Sequence, residues 1–175
     1  NNFFSKDYLI NILDSSYYIG FMAIGVTFVI IIGGIDLSLG TIMMCAALLV
    51  GAAYNTWGWP MWACLLFVVF VATVMGFING ILIAYLDLPP FIATLGMQMM
   101  GMGFGAIVTE VQTMRYPTFG TADGWFKNVF YKTIEGFPIG VLWLALFFVI
   151  ALILLNKTRF GRYTFAIGSN REAAR

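Results

Sequence analysis

Between two apolar segments near the start of the chain lies Gly33-Gly34-Ile35-Asp36-Leu37-Ser38-Leu39-Gly40, a stretch that combines paired glycines with an aspartate and a serine. A carboxylate at hydrocarbon depth costs about 2.5–3.5 kcal/mol on insertion scales, so it is normally confined to a bundle interior or a wet cavity. Glycine and serine beside it allow a helix to break and other groups to approach closely. The stretch therefore predicts a break around Asp36, a feature typical of a transport pathway.

The composition indicates a membrane protein. Of the 175 residues, 61% are hydrophobic and only 10% are charged, and the mean hydropathy is +0.92. A soluble core of this length could not hide so much apolar surface, and a net charge of +1 gives no support for a nucleic-acid partner. Histidine is absent and both cysteines, Cys45 and Cys64, lie inside apolar runs. No catalytic set, metal site, cofactor or disulfide framework is therefore predicted.

Five segments are long and apolar enough to cross a bilayer as helices, allowing for tilt. They are residues 17–34, 39–54, 61–85, 91–108 and 139–155. The second and fourth are short for a hydrocarbon core of about 30 Å. We therefore predict an all-α polytopic membrane protein, a helical bundle with about five spanning helices, one of them broken at Gly-Gly-Ile-Asp-Leu-Ser.

The charges after the last predicted span indicate the orientation. Five basic residues outnumber one acid, Glu172, in this tail: Lys157, Arg159, Arg162, Arg171 and Arg175. Such an excess predicts that the tail is cytoplasmic. Counting back through five crossings places the loop at residues 109–138 and the N-terminal stretch outside, and the turn at Asp87 inside.

The expected organisation is a membrane region over residues 1–155 and a cytosolic segment over residues 156–175. The chain opens without a methionine or a basic signal-peptide region and stops inside the basic tail. We therefore expect an internal piece of a larger protein, with an upstream helix missing and the cytosolic segment truncated.

One polar side chain, Asn79, lies inside the third predicted span between Gly76 and Gly80. Glycines four residues apart predict close helix packing within the subunit, and Gly101 and Gly105 show the same spacing. Asn79 either bonds across helices or contacts a substrate hydroxyl.

Two further polar residues, Thr94 and Gln98, follow the turn Leu86-Asp87-Leu88-Pro89-Pro90. Consecutive prolines remove backbone donors and restrict the preceding residue, which predicts a turn with the next helix starting at Phe91. Thr94 and Gln98 are spaced i and i+4 on one face of that helix. They either line a hydroxyl-binding groove or form interhelical hydrogen bonds.

The chain carries no evident source of energy for transport. It has no phosphate-binding GxxxxGK[ST] loop, and no series of intramembrane acids forms a proton relay. A transporter driven by a separate ATPase and a secondary transporter or channel without such a partner both fit a broken helix with an acid. An intramembrane enzyme is poorly supported because no paired acids or reactive cysteine form a catalytic set.

Three motifs carry a family resemblance: GGIDLSLG at residues 33–40, GFINGILIAYLDLPPFIATLG at residues 76–96 and NKTRFGRYTFAIGSNREAAR at residues 156–175. Together and in this order they resemble the membrane permease subunits of bacterial ABC importers of the ribose, galactose and xylose type. The resemblance runs across most of the chain. Such permeases have about twice this length, so the chain resembles their first half without its initial helix.

The resemblance implies import of a monosaccharide or similar small polar solute across the bacterial inner membrane, with no cofactor and no enzymatic role for this subunit. It implies three protein partners: an ATP-binding subunit at the cytosolic face, an extracellular or periplasmic substrate-binding protein, and a second permease copy. The other neighbour is membrane lipid. Which sugar or polyol is carried does not follow from the permease sequence.

The resemblance also gives roles to particular residues. The basic tail resembles the element that couples the permease to the ATPase, with Gly168, Asn170, Glu172 and Ala173 as the coupling residues; the alternative is charge that only sets the topology. A short helix start is expected at Glu172, with Asn170 or Ser169 as its cap.

Asp36 and Ser38 match the Asp-Leu-Ser signature of these permeases. Asp36 either binds substrate or accepts backbone N–H groups where the helix is broken, since a carboxylate favours the N-terminus of the following helix. The substrate pathway expected from the whole sequence comprises Asp36, Ser38, Asn79, Thr94 and Gln98.

Overall fold

The structure, a computed structural model, describes residues 5–134 and 136–170. Helices dominate this part of the chain, as predicted. The elements are α1 (Lys6–Ile31), α2 (Leu39–Asn55), α3 (Met61–Ala84), α4 (Pro90–Val108), a 3-10 turn (Ala122–Gly124), α5 (Trp125–Phe130), β1 (Thr133–Ile134), β2 (Phe137–Pro138), α6 (Ile139–Lys157) and α7 (Arg159–Ser169). The two strands form a small antiparallel hairpin. An all-α polytopic membrane protein is thus confirmed, with one hairpin that the sequence analysis did not predict.

Four helices among the described residues are long and apolar enough to cross a membrane. They are Tyr8–Ile31, Met61–Ala84, Pro90–Val108 and Ile139–Lys157. The remaining apolar helix of similar size, α2, has 17 residues. At 1.5 Å per residue it is about 26 Å long, at the lower limit for a hydrocarbon core of about 30 Å. The sequence analysis predicted five spans and the structure has four of sufficient length, because α2 is too short to be counted.

Helix α1 begins much earlier than the predicted span at residue 17. Ser5 caps its N-terminus, and the Ser5 hydroxyl accepts a hydrogen bond from the Tyr8 N–H at 3.4 Å. Several polar residues of this extension are exposed, namely Lys6, Asn11, Asp14, Ser15 and Ser16, and the Ser16 hydroxyl donates to the Ile12 carbonyl at 2.6 Å. A serine cap therefore sets this end, whereas hydropathy alone placed it too late.

The chain divides into two compact units. The first unit contains the described residues up to Gly33 and from Gly124 onward, and therefore α1, α5, α6, α7 and the hairpin. The second unit is Gly34–Asp123 and contains α2, α3 and α4. The chain passes from the first unit to the second inside the Gly33-Gly34 pair.

In the first unit, α1 and α6 run parallel and approach closely at two glycines. A Cβ added at Gly20 would lie 2.6 Å from Leu144 Cδ2, and one at Gly140 would lie 2.5 Å from Tyr17 Cζ. The direction is parallel because the two contacts advance together along both helices, from Tyr17 and Gly140 to Gly20 and Leu144.

In the second unit, α2 packs against α3 and α4 around a core that includes Cys45, Ala46 and Leu49. A Cβ at Gly101 would lie 3.0 Å from Thr41 Cγ2, and one at Gly105 would lie 3.0 Å from Leu48 Cδ1. These two glycines let α4 approach α2, as predicted.

Gly76 and Gly80 make no such approach to another helix of the described residues. A Cβ at either position would have open space around it. Asn79, one residue before Gly80, is the buried residue of this turn. The helix therefore buries the amide and leaves the glycine pair exposed.

The loop after α4 is tied back onto α2 by polar contacts. The Tyr116 hydroxyl donates to the Ala47 carbonyl at 2.6 Å, and the Asn55 amide donates to the Arg115 carbonyl at 2.8 Å. The Tyr54 hydroxyl lies 3.2 Å from Asp123 Oδ2. These bonds fix one end of the second unit.

Candidate functional site

The predicted break lies between α1 and α2. Helix α1 ends at Ile31, and the chain then turns at Gly33, which has a φ of +75°. A positive φ is readily adopted only by glycine, which explains why the turn begins there. The chain stays non-helical up to Ser38, the residue that precedes α2. We refer to residues 32–38 as the broken segment; it separates two helices.

Asp36 and Ser38 bond to each other inside the broken segment. Asp36 Oδ1 accepts the Ser38 backbone N–H at 2.8 Å and the Ser38 hydroxyl at 2.6 Å. Ser38 is fully buried, whereas Asp36 is partly buried. The carboxylate thus accepts a backbone N–H group at the break, as one of the two alternatives for Asp36 proposed. It lies just before the N-terminus of α2, where a negative charge is favourable.

Asn79 of α3 extends this pair into a chain of hydrogen bonds. Its side-chain Nδ2 donates to Ser38 Oγ at 2.9 Å, and Asn79 itself is only 5% exposed. A carboxylate only accepts hydrogen bonds, so the Ser38 proton is committed to Asp36. The Ser38 oxygen then accepts from the amide, and the order Asn79 to Ser38 to Asp36 follows.

The same order leaves one buried acceptor without a partner. Asn79 Oδ1 has no hydrogen bond to any described residue. A buried polar group left unpaired costs about 1–3 kcal/mol, so each such atom in a native protein calls for an explanation. The Asn79 Oδ1 atom can accept a hydrogen bond from a donor such as a water molecule or a hydroxyl group.

Thr94 of α4 holds the broken segment from another helix. Its hydroxyl lies 2.8 Å from the Pro90 carbonyl and 3.4 Å from the Ile35 carbonyl, and Thr94 is 1% exposed. The single hydroxyl proton is donated to the Pro90 carbonyl within α4, and the Ile35 carbonyl of the broken segment is a close neighbour of the same hydroxyl. Residues from α3 and α4 thus converge on the chain between the two glycines and α2.

Gln98 does not join this cluster. It is partly buried one turn after Thr94, and its side chain makes no hydrogen bond within the described ranges. Four of the five predicted pathway residues are therefore brought together: Asp36, Ser38, Asn79 and Thr94. We call these four the polar cluster.

The predicted coupling residues lie in or after α7. Thr158 caps this helix, and its hydroxyl accepts the Gly161 N–H at 3.3 Å. Gly168 is in the last turn, and Asn170 follows as the C-terminal cap, with its N–H bonded to the Ala166 carbonyl at 3.0 Å. Ser169 is the last residue of α7.

Glu172 and Ala173 lie outside the described residues, and so does the helix start expected there.

The sequence analysis did not predict the backbone groups that contact the polar cluster. The Ile35 carbonyl, for example, carries no sequence signal because any residue supplies one. It also missed the contact between Gly168 and the Ile31 carbonyl, where a Cβ on the glycine would overlap the oxygen. A glycine near the end of an amphipathic helix was the available signal for that contact.

The described residues contain no group of three or more histidine, cysteine or acidic side chains placed to hold a metal ion. The polar cluster offers hydroxyl, amide and carboxylate groups. Such groups bind polar solutes by hydrogen bonding.

Comparison with known proteins identifies the family. A profile described as "branched-chain amino acid transport system / permease component" matches residues 8–175. Curated relatives include the ribose import permease protein RbsC of Bacillus subtilis, which is 37% identical over 95% of this chain and 50% of its own length. The fructose import permease protein FrcC of Rhizobium meliloti is 31% identical over 99% of this chain and 49% of its own.

A third relative is the autoinducer 2 import system permease protein LsrD of Klebsiella pneumoniae, which is 31% identical over 90% of this chain and 47% of its own length. The chain thus spans about half the length of the curated relatives it matches. No solved structure matches it significantly.

The resemblance to import permeases is confirmed. With four helices apolar enough to span, this is a multi-pass protein of the inner membrane, and the chain belongs to the family of permease components of branched-chain amino acid transport systems.

Proposed function

We propose that the whole protein is the membrane-spanning permease subunit of an ATP-driven importer that carries a monosaccharide or similar small polar solute into the cytoplasm. The observation that carries this proposal is the polar cluster, a buried chain of hydrogen bonds at a break between apolar helices. Polar groups at such a place in a membrane protein are a mark of a solute pathway.

The substrate class is supported by the relatives and by the chemistry of the pathway. Relatives named as ribose and fructose import permeases match nearly the whole chain. The proposed pathway residues are Asp36, Ser38, Asn79, Thr94 and Gln98, and none is a cation. The carboxylate of an amino acid would seek a cation or several N–H donors, whereas sugar hydroxyls both donate and accept. This favours a polyhydroxylated solute over an amino acid.

The proposed partners are an ATP-binding subunit at the cytosolic face, a substrate-binding protein at the outer face and a second permease copy. Alternating exposure of the pathway to the two sides would follow from their binding. The tail after α6 would lie in the cytoplasm, because its basic residues outnumber its acids. Gly168, Asn170, Glu172 and Ala173 would form the coupling segment within residues 156–175.

Uptake by cells that carry the full-length gene tests the proposal. A panel of labelled ribose, fructose, galactose, xylose and branched-chain amino acids would be compared with and without an inactivating change in the partner ATPase. Saturable sugar uptake that disappears with the ATPase change is the expected result. Uptake that persists would favour a secondary transporter or channel, and uptake of amino acids alone would overturn the substrate class.

A further inference from the structure

Helix α7 presents one face to the ends of two spanning helices. Gly161 and Gly168 lie seven residues apart on it, so they differ by only about 20° around the helix axis. Both are glycines whose missing Cβ would overlap a backbone carbonyl. Thr164, between them on the same face, is 6% exposed. This face therefore packs against neighbouring backbone at two points, Gly161 and Gly168.

The contact at Gly161 is local. A Cβ there would meet the carbonyls of Leu154 and Leu155, close to the end of α6. Since α6 and α7 are joined at Thr158, this contact lies at the turn between them. The close approach to these carbonyls explains why residue 161 is a glycine, and no role beyond folding is needed.

The contact at Gly168 joins distant parts of the sequence. A Cβ there would overlap the Ile31 carbonyl and would lie 3.6 Å from the Ile32 Cα. Ile31 is the last residue of α1, and the broken segment begins at the next residue. Because the opposing atoms are backbone, no side chain can move aside to make room.

A second contact supports the same pairing of helices. The rings of Phe28 in α1 and Phe160 in α7 lie 5.9 Å apart, at an angle of 44°. Helix α7 therefore touches the last turn of α1 near both of its own ends. Two contacts restrain the orientation of α7 on α1 more than a single one would.

We propose that Gly168 is a positioning residue, and that its contact with Ile31 carries a displacement of α7 to the broken segment. The inference rests on the proposed function, because the ATP-binding subunit would be what displaces α7. A push on α7 then moves the start of residues 32–38, to which the Asp36 carboxylate belongs. Gly168 would thus act inside the permease, in addition to any contact with the ATPase.

The test uses the complete transporter with its ATPase in lipid vesicles. Ile35→Cys supplies a reporter, because the Ile35 side chain is 56% exposed within the broken segment. Its rate of reaction with a thiol reagent would be compared with and without ATP. The comparison is repeated with Gly168→Ala and with Gly25→Ala, a matched control on α1 at which a Cβ meets nothing.

We expect the labelling rate of the reporter to depend on ATP in the parent and in Gly25→Ala, and to lose that dependence in Gly168→Ala. Uptake by Gly168→Ala should fall about tenfold, within the range typical of coupling between two sites, while ATP hydrolysis continues. An ATP-dependent reporter in Gly168→Ala, or an ATP-independent one in the parent, would overturn the inference. Absence of ATP-driven uptake in the parent would instead overturn the proposed function.

A second variant does not alter the glycine. Cysteines at Ile32→Cys and Ser169→Cys would be joined by a short bifunctional thiol reagent in the assembled transporter. If α7 and the end of α1 move together, the cross-linked protein should transport as fast as the unlinked one. Loss of uptake on cross-linking, or failure of the two cysteines to cross-link, would contradict the proposal.

Discussion

The broken segment is held at its two ends by contacts of different chemistry. At its end, the Ser38 hydroxyl donates a hydrogen bond to Asp36 and accepts one from Asn79. At its start, Ile31 meets the backbone of Gly168 with no side chain between them. Hydrogen bonds to side chains can be exchanged for bonds to a solute, whereas a contact between backbones resists compression. The first end is therefore suited to respond to a solute, and the second to a movement of the protein.

The largest expected effect is at the polar end, in Asp36→Ala. The change leaves the buried Ser38 N–H and hydroxyl without their acceptor, at about 1–3 kcal/mol for each group. We expect uptake in cells to fall by a factor of about 30 or more at constant protein level, as a loss of about 2 kcal/mol implies.

Asp87→Ala is the matched control for Asp36→Ala. Asp87 is an exposed acid in a turn, with a φ of +51° that Asp tolerates better than Ala, so its replacement costs some local stability and leaves the polar cluster intact. Equal and mild losses in the two variants would contradict the importance given to Asp36.

The next effect is expected where α7 meets the end of α6, in Gly161→Ala. A methyl group there overlaps the Leu155 carbonyl, and such overpacking costs about 1–3 kcal/mol. We expect a lower midpoint in thermal unfolding of the full-length protein in detergent. Gly25→Ala gains the same helix propensity without the overlap, so it should be unchanged or slightly more stable. A similar midpoint in both variants would show that α7 adjusts freely.

Asn79→Leu should separate folding from transport. It removes a hydrogen bond to Ser38 and at the same time the unpaired buried Oδ1, so the two effects on stability oppose each other. We expect the unfolding midpoint to stay nearly constant and sugar uptake to fall about tenfold, the equivalent of one lost hydrogen bond to a solute. Normal uptake would assign Asn79 to interhelical bonding alone.

The smallest effect is expected for Thr94→Val, which keeps the shape of the side chain. It removes the 2.8 Å bond to the Pro90 carbonyl and the longer approach to Ile35. The loss should be about 0.5–1.5 kcal/mol in the free energy of unfolding, with a fall in uptake smaller than that of Asn79→Leu. Thr94→Ser retains the hydroxyl and should behave as the parent does. Uptake in Thr94→Val equal to that of the parent would remove Thr94 from the proposed solute pathway.

The sequence predicted the helical class and the break because both depend on local properties. Long apolar runs leave helices as the form that satisfies every backbone group, and Gly33 favours the turn. It also selected Asp36, Ser38, Asn79 and Thr94, because polar side chains are conspicuous in apolar segments. Their hydrogen-bonded order did not follow from the sequence, since that order depends on how α2, α3 and α4 are placed in space.

Other features failed for identifiable reasons. The start of α1 depends on the Ser5 cap, and hydropathy does not register a cap. The two glycine pairs have the same spacing, yet only Gly101 and Gly105 face a neighbouring helix. Spacing identifies a face of a helix, but the rotation of the helix decides whether that face is covered.

The parallel course of α1 and α6 has an electrostatic consequence. Each helix ends in partial negative charge, equivalent to roughly half an elementary charge, from its last carbonyls. Both ends touch α7, at positions about 10 Å apart along its axis. Lys157 lies in the last turn of α6, whereas the last turn of α1 has no basic residue. Arg159 and Arg162 follow Lys157 closely in the chain, so the basic residues from which the orientation of the tail was predicted also place positive charge close in sequence to the end of α6.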